Sequence, residues 1–386
     1  MARSPQQAGG LLADLMAVGV LTRAFPPELV DRVVDQSGVR EQRRRALPAR
    51  LVVYYLLAMV LFFRSGYDEV WAKLIAGLAW AHPFAAGPRR GMPPTPAAIT
   101  YARERLGWQV MATLLEEAAA LRAAEEEPQR LRISGMRLVT LDEARLSLPD
   151  TSGNVAAFGY PRDGPGRGSS PQARVVALGE CGTSAILSAA MSGVAADEAP
   201  LIRQVLARLT PGDLLTADSG LGRYPLLAEV IGAGAHVLWQ AGPQEDLPRL
   251  AALPDGTYAS RLTGAPGQAS APDAASGLAV RAISYPGEDR EATTASRALV
   301  LVTDIMDAQV LPAEAAIAAY ASRWRLETCF SVLELSFPGR STVVLRSKNP
   351  DLIHQEVHAM LCCYQAIRSL ISHEPAQSGG GYFVLT

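Results

Sequence analysis

Three acidic residues of this 386-residue chain, Asp142, Asp218 and Glu327, point most directly to chemistry. Asp142 follows an apolar run in LVTLDEARLSLPD, and Asp218 follows another in DLLTADSGL. Glu327 closes the stretch Tyr320-Ala-Ser-Arg323-Trp-Arg-Leu-Glu327, where 3.6 residues per turn put Tyr320, Arg323 and Glu327 on one helix face. Two strand-end aspartates and a helical glutamate make an all-oxygen set suited to hard divalent cations. Such carboxylates repel one another unless cations neutralise them. Two Mg²⁺ ions about 4 Å apart would activate an attacking oxygen and stabilise a leaving one, and Mn²⁺ would serve the same purpose. With a phenol and a guanidinium alongside, the set suits phosphodiester chemistry on DNA.

The intervals are long: 76 residues separate the aspartates and 109 separate Asp218 from Glu327. A mixed sheet brings two strand ends together, and a helix packed on it delivers the third acid, as in ribonuclease-H-like domains. The expected fold class is therefore α/β. A catalytic ribonuclease-H-like domain occupies 131–240 and 297–373, interrupted by a β-rich insertion at 241–296. It is preceded by an α-helical DNA-binding region over 1–130 and followed by a disordered tail, 374–386.

Local patterns place the pieces. ELVDRVVDQSG reads as an amphipathic helix stopped by Gly38, and Thr95-Pro96 caps the helix PAAITYARERLG. Arg43, Arg44 and Arg45 in REQRRRALPAR, with Arg103 and Arg105 on helix faces read as exposed, are candidates for contacting DNA. MRLVTLDEARLSL reads as two strand pieces, and ARVVALGECG and SAILSAAMSG supply two more. DEAPLIRQVLARL and YPLLAEVIGAG read as helices, DLLTAD and HVLWQ as strands. TYASRLT and LAVRAISY are the strand-like parts of the insertion, and ALVLVTDI resumes the core. A long helix opens at Pro312, and another spans roughly 350–371.

Composition narrows the function classes. At 49% hydrophobic and 19% charged residues the chain is globular, and a net charge of −2 requires any DNA contact to come from local basic patches. The apolar run Leu51–Phe63 is shorter than the roughly 20 residues a membrane helix needs, so no membrane role is expected. Cys181, Cys329, Cys362 and Cys363 lack zinc-finger spacing, and the adjacent pair suits no disulfide framework, which suggests a reducing cytoplasm. His354 and His358 lie one turn apart, but Gln355 stands where a zinc peptidase needs glutamate. No Gly-x-Ser-x-Gly elbow is present. PRDGPGRGSSP lacks the lysine and the strand-to-helix setting of a phosphate cradle.

The chain resembles the DDE transposases of the IS-four group of bacterial insertion sequences, from the helical region to about residue 372. LDEARLSLPDTSGNVAAFG resembles that family's first-acid block, PGDLLTADSGL its second, LPDGTY part of its insertion, and VLRSKNPDLIHQEVHAMLCCYQAIRSL its C-terminal helix. Tyr320, Arg323 and Glu327 stand at the spacing of the family's Tyr, Arg, Glu, Lys signature. The resemblance implies Asp142, Asp218 and Glu327 as ligands of two Mg²⁺ ions and Tyr320 and Arg323 as phosphate contacts. Arg346 and Lys348 are further candidates for DNA contact. It also implies cut-and-paste transposition, with double-stranded DNA (the element's terminal inverted repeats and the target) as partner. A homodimer in a synaptic complex and a cytoplasmic protein associated with the nucleoid when on DNA complete the expectation.

Three positions depart from the pattern. Glu334 takes the signature's lysine place, Glu143 a glycine's, and Ser219-Gly220 that of arginine-glycine. The alternative these raise is a catalytically weakened or inactive DNA-binding relative.

Overall fold

A computed structural model describes residues 5–43, 45–81, 93–125, 132–161, 170–183, 185–217, 224–242, 247–263, 277–285, 299–322 and 345–372. The chain divides into two compact units, 1–105 with 359–386, and 106–358.

The first unit is helical: α1 (Pro5–Ala24), α2 (Pro27–Gln36), α3 (Ala49–Leu61), α4 (Tyr67–Ala81) and α5 (Pro96–Leu106). In α2, proline occupies the first turn, where its missing N–H costs nothing, and Leu29, Val30, Val33 and Val34 form the buried stripe. Gly38 follows with φ +67°, a conformation glycine adopts without strain. The apolar run of the sequence is α3, buried over almost its whole length, and the Tyr54 hydroxyl donates to the Phe25 carbonyl at 2.6 Å. Helices α1 and α4 meet at Gly77, where an added Cβ would fall 2.4 Å from Cβ of Val18. No helix among the described residues is long and apolar enough to cross a membrane.

Among the described residues, the second unit is built on a ten-stranded sheet. Its strands are β1 (Arg132–Ile133), β2 (Met136–Ser147), β3 (Gln172–Glu180), β4 (Ile186–Gly193), β5 (Asp213–Ala217), β6 (His236–Gln240), β7 (Ala251–Ala252), β8 (Tyr258–Leu262), β9 (Leu278–Tyr285) and β10 (Leu299–Thr303). The order is β4-β3-β2-β5-β6-β10-β9-β8-β7, with β1 paired to β2. Strands β2, β3 and β4 run antiparallel, whereas β5 is parallel to β2 and β6 parallel to β5. The remaining helices are α6 (Gln109–Glu125), α7 (Ser152–Phe158), α8 (Ala199–Leu206), α9 (Tyr224–Gly232), α10 (Ala313–Ala321) and α11 (Pro350–Ser372).

Both faces of the central strands are covered, which is why β3 and β5 read as continuous apolar runs. Val139, Leu141 and Leu215 pack with residues of α8 and α9 on one face. Met136, Leu138, Leu214 and Leu238 pack with Ala316, Ala319 and Tyr320 of α10 on the other.

Two sequence readings change. MRLVTLDEARLS forms one 12-residue strand instead of two pieces. The charged pair Asp142-Glu143 does not break it, because alternate residues leave on opposite faces. The strands read as an insertion hydrogen-bond in register onto β10 and extend the same sheet. The compact units divide near 105, with α6 in the sheet unit and residues from 359 onward in the helical one. The tail 374–386 lies outside the described residues.

Candidate active site

Along β2 one face runs Leu138, Thr140, Asp142, from an apolar floor through a hydroxyl to a carboxylate. Thr140 pairs with Thr216 of β5, and the Thr216 hydroxyl donates to the Val139 carbonyl at 3.1 Å. This is the face that α10 covers. Asp142 is half-buried, and its Oδ1 accepts from the Glu143 amide at 2.8 Å. The sequence reading put Asp142 at a strand end; it lies inside β2, which continues to Ser147 against β3.

Glu143 leaves on the opposite face. There it pairs with Arg145 at 3.3 Å and with Arg174 at 3.2 Å, and Arg174 reaches Glu198 at 3.3 Å. The acid in a glycine's place therefore adds no carboxylate to the Asp142 side. That is the reason this departure leaves the Asp142 surface unchanged.

Asp218, Arg323, Glu327 and Glu334 lie outside the described residues. Among the described residues no three His, Cys, Asp or Glu side chains gather to hold an ion. Asp142 alone represents the expected ligand set there. A half-buried carboxylate oxygen on a strand fits a hard divalent cation by donor type.

The expected DNA contacts divide sharply. Arg43 and Arg45 are exposed between α2 and α3, and Arg44 lies outside the described residues. Their neighbours Arg40 and Arg50 are tied into ion pairs with Asp31 and Asp35. Arg105 is exposed and donates to the Leu47 carbonyl at 2.7 Å. Arg103, expected on an exposed face, is only 2% exposed. It follows Ile99 and Ala102 and precedes Leu106 on the buried stripe of α5, at spacings that put all four on one side. Tyr320, expected at a phosphate, is 4% exposed; it packs with Ala316 and Ala319, and its hydroxyl donates to Gln240 Oε1 at 3.2 Å. The alanines three or four residues apart were the legible sign that this tyrosine faces inward.

Arg346 is half-buried and Lys348 exposed, on a segment whose backbone is held from two sides. Glu356 of α11 accepts from the amides of Arg346 and Ser347 at 3.0 and 3.1 Å and from the Ser347 hydroxyl at 2.6 Å. Asn154 of α7 donates to the Ser347 carbonyl at 3.3 Å, and the Thr151 hydroxyl donates to the Lys348 carbonyl at 3.0 Å. Sequence reading missed Glu356 and Asn154. The available signal was an acid between the buried Ile353 and Val357 in a helix otherwise reading as core.

The histidine pair is structural. Trp108 stacks on His354 and His358 with centroids 4.9 and 5.7 Å away, and Phe158 lies 5.8 Å from His354. His358 Nδ1 lies 2.7 Å from the His354 carbonyl. Burial pushes the His354 pKa down from 6.5 to about 4, helped by the neighbouring His358 and opposed by Asp351. His358 is lowered too, again chiefly by burial. The folded state thus favours neutral rings, whereas the unfolded chain takes up protons below about 6.5. Stability from His354 is complete above that pH and falls as pH drops toward 4, by about 2–3 kcal/mol. His354→Phe keeps an aromatic ring and removes the titration. Its unfolding free energy, measured by denaturant melts from pH 7 to 4, should show a shallower decline than the parent's; equal slopes would contradict the burial account.

Residues 15–116 match a family model described as insertion element 4 transposase N-terminal. Over 348 residues the chain is 25% identical to transposase InsG for insertion sequence element IS4 of Escherichia coli strain K12, covering 89% of this chain and 74% of that protein. Among solved structures, it is similar to a cryo-EM structure of the piggyBac transposase synaptic complex with hairpin DNA. That similarity has a TM-score of 0.43 and 10% identity, over 93% of this chain and 75% of that one. A crystal structure of endonuclease V from Streptomyces avermitilis matches with a TM-score of 0.21 and 14% identity, over 49% of this chain and 76% of that one.

Proposed function

We propose that this relative of the IS4 transposases is itself a DNA transposase, whose ribonuclease-H-like sheet unit cleaves element ends and joins them to target DNA. The observation of the fold that carries the metal-dependent reading is the β2–β5 register. Each paired residue of β2 meets the residue 76 places later, as Arg137 meets Asp213 and Thr140 meets Thr216. The same interval separates Asp142 from Asp218 in the sequence. Three antiparallel strands followed by two parallel ones further support the ribonuclease-H-like reading.

Asp142, Asp218 and Glu327 would hold Mg²⁺, which when bound supplies Lewis-acid activation of the attacking and leaving oxygens. The chain's own residues set the rest. The pleat directs Asp142 to the α10 face and removes Glu143 from it. Leu138 and Leu214 lie on that same face, in the apolar cluster that α10 covers. Arg43, Arg45, Arg105 and Lys348 offer exposed cations for phosphates, which position a duplex without reading its sequence.

The test is incubation of the purified chain with DNA bearing the element's ends, with and without Mg²⁺. Cleavage at the ends and joined products that require the ion support the proposal. End binding with no product, with Glu334 in place of lysine as the motive, would assign the chain to silent DNA-binding relatives. Indiscriminate cutting of duplex without joining would indicate a nuclease.

A further inference from the structure

On the reading that Arg346 and Lys348 meet DNA phosphates, we propose that Glu356 is a positioning residue that sets the segment Arg346–Lys348 as a rigid basic strap. The geometry is specific. One carboxylate takes two successive backbone amides and a hydroxyl, all from the strap. Charge-assisted bonds of this kind are about twice as strong as neutral ones. Glu356 is 8% exposed, so water offers its oxygens little alternative.

The opposite edge of the strap is fixed independently. Asn154, fully buried, divides its side-chain amide between the carbonyls of Pro149 and Ser347 at 3.1 and 3.3 Å. Thr151, which also caps α7 through the Asn154 amide at 3.3 Å, takes up the Lys348 carbonyl. Asn349 Oδ1 accepts from the Asp351 amide at 2.9 Å and turns the chain into α11.

The Arg346 and Ser347 amides and the Ser347 and Lys348 carbonyls are thus bonded inward, to α11, α7 and its capping Thr151, while Lys348 stands exposed. A lysine on a free loop loses conformational entropy when it binds a phosphate. Here the fold has already ordered the backbone. Because α7 begins five residues after β2 ends, the strap is also referenced to the strand that bears Asp142.

Three variants of the full chain test this: Glu356→Gln, Ser347→Ala and Lys348→Ala, with end-DNA affinity measured across a salt series. Lys348→Ala should weaken binding about tenfold and lower the salt slope by about one. Glu356→Gln should approach that loss, because its amide nitrogen faces donors, and Ser347→Ala should give a smaller loss in the same direction. Adding Lys348→Ala to Glu356→Gln should cost less than it does in the parent. Full additivity in that cycle would reduce Glu356 to a general stabiliser and overturn the proposal. Hydrogen exchange separates the two failures. Faster exchange at the Arg346 and Ser347 amides in Glu356→Gln, with Lys348→Ala binding like the parent, would remove the phosphate reading itself. Unchanged exchange would remove the positioning role.

Discussion

Asp142→Asn should abolish end cleavage and strand joining, by about a thousandfold or more, while DNA binding and folding persist. A thousandfold corresponds to roughly 4 kcal/mol of transition-state stabilisation. Asparagine is isosteric and keeps an oxygen to accept the Glu143 amide, so the strand need not change. What disappears is the negative charge that a divalent ion requires. Glu143→Gln is the internal control, one residue away on the other face. It should weaken the Arg174 pairing and leave cleavage within a few-fold of the parent. Gel-based cleavage and joining assays on both variants decide the matter. Equal losses would mean that the two carboxylates are not sorted by the pleat, and retained activity in Asp142→Asn would remove it from the active site.

Much of this arrangement was legible in the sequence, for identifiable reasons. Apolar runs bounded by turn residues gave β3, β5, β6 and β8–β10, and the stripe of Leu29, Val30, Val33 and Val34 gave α2. The acidic block marked Asp142 as a candidate by its place after an apolar run. What the sequence left hidden depends on which face a residue takes after distant segments pack. Arg103 reads as a surface cation until Ile99, Ala102 and Leu106 are seen to bury the same side of α5. Tyr320 reads as a phosphate ligand until Gln240, 80 residues away in the chain, takes its hydroxyl. Glu356 and Asn154 act on a segment through backbone groups, which carry no side-chain signature. The continuation of β2 through Asp142 was obscured because two adjacent acids interrupt the apolar run, whereas in a pleated strand each meets a different environment.

Strands β7 to β9 belong to the same sheet as Asp142, and Arg281 gives that continuity an energetic consequence. Its side chain is 0% exposed. Nε donates to the Thr257 hydroxyl at 2.9 Å, Nη1 to the Leu311 carbonyl at 2.7 Å, and Nη2 to Asp255. Asp255 and Thr257 belong to the LPDGTY turn before β8, and Leu311 stands just ahead of Pro312 and α10. One guanidinium therefore links the sheet's outer strands to the entrance of the helix that covers the Asp142 face. Arg281→Ala should destabilise the chain by about 3–5 kcal/mol, because it leaves Asp255 without its cation and two buried acceptors without donors. Arg281→Lys should recover only part, since a single ammonium cannot serve three acceptors in a planar fork. In Arg281→Ala/Asp255→Ala the loss should be smaller than the sum of the two single losses, as both charges leave together. Chemical denaturation of the four proteins measures this coupling. A cost below about 1 kcal/mol for Arg281→Ala would show that the outer strands and α10 are held by apolar packing alone, through Ile283 and Leu301 against Ala316 and Ala319.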